Sequence, residues 1–198
     1  MILDVVYEIE FSCQKDRMWQ SPIPFKLVLT DDPMSFLVMP EGTTGLPLPP
    51  HPGAWGFQRA YHIHEGVDLY VPHMTQVTAA EPGEVVAIMP FTGEQAGSSW
   101  WHKTWAVMVE GPSGVVNYGE IVPDPALEVG DKIEAGANVG KVLTVLKKDK
   151  GRPMSMLHLE LYARGAREPV EWKLEDRALL APDGLLNPTF HLMDLIQP

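Results

Sequence analysis

The chain has 198 residues, 45% hydrophobic and 21% charged, an ordinary globular composition long enough for one sizeable core with an appended segment. Its 26 acidic and 15 basic side chains give a formal charge of −11; with no basic run, this excludes nucleic acid as an expected partner and weakens attraction to anionic membranes. Cys13 is the only cysteine, which rules out an intrachain disulfide and a thiolate metal site and leaves a small buried hydrophobe as its expected role.

In chain order, residues 2–11 alternate well enough to predict a strand, and the acids Asp4, Glu8 and Glu10 within that run argue against a secretory leader. Residues 24–30 read as a second strand. From residue 41 to 52 the cluster of Gly42, Gly45, Pro47, Pro49 and Pro50 predicts an extended linker or a loop lying over the core. Residues 1–50 are therefore expected to form a β-rich N-terminal extension ending in this linker, and residues 51–198 a separate domain. Within the latter, short strands are expected around 67–71, 85–89, 105–109, 115–118, 141–146 and 157–162. Turns at Pro82-Gly83, Gly111-Pro112, Gly114 and Gly151-Arg152-Pro153 separate them. That spacing predicts a mainly β fold, an antiparallel β-sandwich or flattened barrel. Residues 172–181 read as the one helix, with Glu171, Glu175 and Asp176 near its start. No stretch reaches the roughly 18 apolar residues of a spanning helix, so no transmembrane segment is expected.

His64, Asp68 and His158 are the most informative residues. Two imidazoles and a carboxylate suit Zn²⁺ and leave a fourth tetrahedral position open. His64 and Asp68 stand four apart, a helical-looking spacing. Yet Gly66 between them, and the alternation of Val67, Leu69 and Val71 after it, predict a strand with a close approach. In Met156-Leu157-His158-Leu159-Glu160 the strand period puts His158 and Glu160 on one face with Met156, and the leucines on the other. The leucine face is expected in the core and the polar face in a groove.

A longer series of motifs surrounds these residues. It begins at Trp55-Gly56-Phe57-Gln58-Arg59 and runs through His64-Glu65-Gly66-Val67-Asp68-Leu69-Tyr70-Val71-Pro72. It continues at residues 77–86, at Val129-Gly130-Asp131-Lys132-Ile133, at Gly136 and Gly140, and at Asn187-Pro188-Thr189. In this order, over residues 53 to 192, the chain resembles the lysostaphin and LytM-type zinc endopeptidases, which cut peptide crosslinks of bacterial cell walls. The resemblance implies zinc as cofactor on His64, Asp68 and His158, a peptide or peptidoglycan-like ligand, and an extracytoplasmic setting.

Two positions depart from that family. It usually carries a His-x-His pair whose first member is catalytic, and here that place is Met156. It also tends to carry a Tyr-x-His segment, and here Tyr118-Gly119-Glu120 puts Glu120 in the place of the histidine. A thioether holds no proton to give, while peptide hydrolysis still requires proton delivery to the leaving amine. Glu120 is one candidate proton carrier. His62 is another, expected on the strand face of His64 or as a partner of a ligand, and His102 beside Trp100 and Trp101 is a third. Trp100 and Trp101, with Trp105, are candidates for an aromatic platform along the groove. His51, His73 and His191 stand in no constellation. Three functions remain open: an impaired zinc-binding module with a binding or regulatory role, an active zinc endopeptidase using Glu120 or His62, and a lipoyl-like or phosphotransfer hybrid-barrel domain.

Overall fold

The computed structural model describes residues 19–149, 151, 153–175 and 181–196. The strand expected at 2–11 and Cys13 lie outside the described residues. In chain order the strands are β1 (Lys26–Thr30), β2 (Thr43–Pro47), β3 (His62–Ile63), β4 (Val67–Tyr70), β5 (Gln76–Thr78), β6 (Gly83–Thr92), β7 (Thr104–Gly111), β8 (Gly114–Pro123), β9 (Lys132–Ile133), β10 (Asn138–Val142), β11 (Met156–Tyr162), β12 (Trp172–Lys173) and β13 (Leu185–Leu186), followed by a short helix α1 (Thr189–Met193).

The architecture is mainly β. Nine strands form one antiparallel sheet with the order β13-β11-β8-β7-β6-β9; β4 adds to β11, and β10 joins β8 to β5. The tight β7–β8 hairpin works only because Gly114 is bare. Its φ is +137°, and a Cβ there would meet the Tyr162 carbonyl at 2.1 Å.

Strand alternation gives this sheet two unlike faces. Val67 and Leu69 of β4, Val107 and Val109 of β7, Val116 and Tyr118 of β8, and Leu157, Leu159 and Leu161 of β11 all enter the main core. Each fully buried aliphatic side chain there contributes roughly 1.5–3 kcal/mol. Residues of opposite parity face the other way. Met108, Val115 and Tyr162 pack with Ile63, Trp172 and Leu185 into a second, smaller cluster. Asp68, His158 and Glu160 share the parity of that second face, and all three are buried.

Several expectations change. Residues 43–47 are a strand, not a linker: β2 pairs in parallel with β1, burying Thr44 and Leu46. Alternation outweighed the Pro and Gly content, since Pro47 stands at the strand end and bare Gly45 packs against Thr30. The extension is thereby tied into the molecule, with Trp19, Ile23, Leu27 and Leu46 in the main core and Thr44 Oγ1 donating to the Tyr70 carbonyl (2.5 Å). The expected helix at 172–181 begins instead as β12, paired with β3. There the Trp172 amide donates to Glu65 (2.8 Å) and its ring packs on Trp55 (5.0 Å), contacts a helix pattern does not foresee. Residues 176–180 lie outside the described residues. Among the described residues the α-helix is α1, just before which the Asn187 side chain accepts the Thr189 amide (2.9 Å). The strand expected at 141–146 runs from Asn138 to Val142.

Candidate metal centre

Three elements deliver the candidate ligands. The β4–β11 register sets Asp68 directly opposite His158, and on the other side of β11 Gly119 of β8 is opposite the same histidine. His64 arrives on the connection from β3 to β4, where its amide donates to Phe57 O (2.9 Å) and its carbonyl accepts from Gly56 (2.8 Å). Gly66 is the close approach expected from sequence: a Cβ there would lie 2.5 Å from the Leu159 carbonyl and 2.9 Å from Cε1 and Nε2 of His158. Only hydrogen leaves room for the His158 ring.

The ligand atoms converge. His64 Nε2 is 3.1 Å from Asp68 Oδ1 and 3.2 Å from His158 Nδ1, and His158 Nδ1 is 2.8 Å from Asp68 Oδ1. Donors about 2.0–2.1 Å from a tetrahedral zinc stand roughly 3.3 Å apart, so the three atoms already lie close to the required spacing. The outward atoms are all engaged. His64 Nδ1 donates to the Ala54 carbonyl (2.9 Å), Asp68 Oδ2 accepts from Arg59 (2.5 Å), and His158 Nε2 donates to Glu160 (3.0 Å). With those atoms spoken for, the inward atoms of all three residues meet one another, and once the proton between His158 Nδ1 and Asp68 is released the donor set fits a zinc ion.

The electrostatics agree with the geometry. Burial pushes His64 down to about 4, which keeps it neutral as a ligand must be. Burial would raise Asp68, but His64, Arg59 and His158 hold it well below the usual carboxylate range. His158 goes the other way: burial opposes its charge, yet the hydrogen bonds to Asp68 and Glu160 push it up to about 10. Ligation through Nδ1 therefore requires release of the proton that this state holds between the two carboxylates.

The flank where proton carriers are expected is built differently. Met156 lies two residues from His158 on the same face of β11 and is nearly buried. Glu120 is buried, and its Oε2 accepts from Thr104 Oγ1 (2.7 Å) and Thr92 Oγ1 (3.1 Å). Among the described residues it makes no hydrogen bond to a candidate ligand. Burial pushes its carboxyl up to about 7 against the two hydroxyls. Its φ of +65° is unusual for a non-glycine residue. His62 sits on β3, partly exposed, with Nε2 3.9 Å from Glu65, and burial lowers its pKa. The His102 side chain is exposed. Trp100 is 64% exposed and meets Trp101 edge-on at 6.1 Å, while Trp105 is partly buried on β7. Phe91 instead lies beside the site, its ring 5.5 Å from that of His158 and against bare Gly119.

The other histidines have structural partners that sequence spacing does not reveal. His51 is 3% exposed, accepts the Gly53 amide on Nδ1 (2.9 Å) and lies 5.9 Å from the Tyr70 ring; the Gly53 carbonyl in turn accepts the Asp68 amide. His73 accepts the Thr144 amide (3.2 Å), and His191 stacks on Trp19 at 4.7 Å. The outer partners Ala54, Arg59 and Glu160 were not foreseen as a set. Only Glu160 carried a signal, its shared strand face with His158.

No family model and no curated protein matches the chain. Solved structures do. One is a Pseudomonas aeruginosa chain named as an M23 peptidase (16% identity, TM-score 0.41, 79% of this chain and 54% of that one). Another is lysostaphin (16%, TM-score 0.43, 67% and 44%). A third is a Ruminococcus gnavus chain named as a LytM glycyl-glycine endopeptidase (22%, TM-score 0.45, 81% and 60%). This chain spans about half the length of those structures. Among the described residues no helix is long and apolar enough to cross a membrane.

Proposed function

We propose that the chain is a zinc-binding domain of the lysostaphin/LytM type whose peptide hydrolysis is impaired, so that its groove binds or regulates rather than cuts. The single observation that carries this reading is the contrast around β11: three ligand atoms meet with every outward partner filled, while Met156 stands where the family resemblance calls for an imidazole. His64, Asp68 and His158 would hold the zinc, which supplies Lewis acidity to polarise a carbonyl and to make water nucleophilic near neutral pH. The ligand expected is a peptide or a peptidoglycan-like strand, met outside the cytoplasm. In the same reading residues 51–198 carry the candidate ligands, and the N-terminal extension serves as an added layer on the shared core.

One observation favours an active endopeptidase as a second reading. Glu120 is a buried carboxyl poised at about 7, the range suited to a group that takes and returns a proton at neutral pH. His62, partly exposed and held by Glu65 only at 3.9 Å, is the weaker carrier. A lipoyl-like or phosphotransfer role is disfavoured because both central histidines are engaged with Asp68.

Metal analysis and a peptidase assay on Gly-rich and wall-derived peptides test the choice. The expected result is near-stoichiometric zinc with little cleavage. Brisk wild-type cleavage abolished by Glu120→Gln would replace the first reading with the second, and absence of zinc binding would end both.

A further inference from the structure

Glu160 is 3% exposed, and His158 is its only ion-pair partner among the described residues. Its carboxylate is nevertheless saturated. Oε1 accepts from His158 Nε2 (3.0 Å), while Oε2 accepts from Asn117 Nδ2 (2.5 Å) and Tyr162 OH (2.9 Å). The Tyr162 oxygen in turn accepts the Val170 amide (3.2 Å). Burying a carboxylate with neither Lys nor Arg is costly, and an apolar side chain would fill the second cluster with less penalty. What distinguishes this carboxylate is what it does to the His158 ring.

On β11, His158 and Glu160 stand two residues apart on one face, so the bond between them runs along the strand. With Nε2 drawn along the strand, the opposite nitrogen, Nδ1, points across to β4, where Asp68 lies in register. His64 is set in the mirror sense: its Nδ1 donates to a backbone carbonyl and its Nε2 faces the centre. Each imidazole therefore presents the nitrogen that its outer partner leaves free. Bare Gly66 and Phe91 both border the ring but do not choose which nitrogen points inward.

We propose that Glu160 is a positioning residue that holds His158 in the Nδ1-ligating tautomer and orientation, and that Asn117 and Tyr162 hold Glu160 for that task. The proposal rests on the reading of His64, Asp68 and His158 as metal ligands. Through the Tyr162–Val170 bond the orientation of His158 is tied to the connection between β11 and β12. Outer partners of metal-bound histidines are commonly worth about 10–100-fold in metal affinity.

The test is a titration of the metal-free full chain with Co²⁺ and with Zn²⁺, following the visible absorption of the cobalt form. Wild type, Glu160→Ala, Glu160→Gln and Tyr162→Phe are compared. Glu160→Ala should bind roughly 10–100-fold more weakly with an altered cobalt spectrum. Glu160→Gln keeps an oxygen acceptor for the Nε2 proton and should recover part of the affinity and the wild-type band shape. Tyr162→Phe should show the smallest loss. Thermal melts of the metal-free variants check folding, and if Glu160→Ala does not fold, Glu160→Gln and Tyr162→Phe carry the comparison. Wild-type affinity and spectrum in all folded Glu160 variants overturn this proposal alone, whereas a wild type that binds neither metal overturns the ligand reading beneath it.

Discussion

The two flanks of the candidate centre differ in how they treat polar atoms. On the β4–β11 side each candidate ligand has its outward atom bound and its inward atom turned to the other two: Ala54 holds His64, Arg59 holds Asp68 and Glu160 holds His158. On the β8 side the carboxyl of Glu120 is turned to Thr92 and Thr104, and Met156 offers no proton at all. Three atoms that could hold a cation thus stand beside a carboxyl turned to two hydroxyls and a thioether that carries no proton. Holding a metal and hydrolysing a peptide are separable properties, because the first needs lone pairs fixed in space and the second needs a group that changes its protonation.

The most drastic way to break the comparison is to remove a ligand. His64→Ala and Asp68→Ala should each take elemental zinc from near one per chain to near none; zinc retained in both variants would refute the centre. Next comes the flank that carries Met156. Met156→His restores an imidazole beside His158, and because general acid–base groups contribute on the order of 10²–10⁴-fold, cleavage of Gly-rich peptides should rise well above the wild-type background. A zinc-loaded Met156→His variant with no gain would mean that the missing imidazole is not what limits the site.

Glu120 sharpens the contrast through pH. Burial raises its folded pKa from 4.5 to about 7, so the folded state holds a proton that the unfolded chain releases. The associated stability is fully present below the unfolded pKa and is lost as pH rises through about 7. At about 1.4 kcal/mol per pKa unit the loss is on the order of 3 kcal/mol. Denaturant titrations of metal-free protein from about pH 4 to 8 should show wild type losing that much relative to Glu120→Gln. A parallel pair of curves would place an ordinary, solvated carboxyl at position 120. The smallest effect expected is that of Gly66→Ala, whose Cβ must push on the Leu159 carbonyl and the His158 ring. Overpacking of this kind costs roughly 1–3 kcal/mol and should also weaken zinc binding, because the ring that must give way is a ligand.

The legible parts of the site were those with a local signature. Gly66 followed by alternating valine and leucine announced a closely approached strand, and the period of two around His158 separated the face of the candidate ligands from the main-core face, although that polar face is buried and not the open groove expected. Illegible parts depended on partners far along the chain or on backbone geometry. Thr92 and Thr104 meet Glu120 from 28 and 16 residues away, and nothing near Glu120 announces its left-handed backbone. His51 looked isolated because the ring it packs near, Tyr70, lies on β4. At residue 172 a helical pattern lost to pairing with β3, and at 43–47 a loop composition lost to pairing with β1; in both, the deciding partner was another strand.

By itself, then, the sequence determined the mainly β class, the parity of β4 and β11 and the identity of the three candidate ligands, because strand periodicity and donor chemistry are properties of short segments. Tertiary structure decided which nitrogen each imidazole turns inward, which carboxyl is poised near neutrality, and how residues 19–47 join the core. Those depend on register between strands tens of residues apart and on exclusion of water, which no short segment encodes.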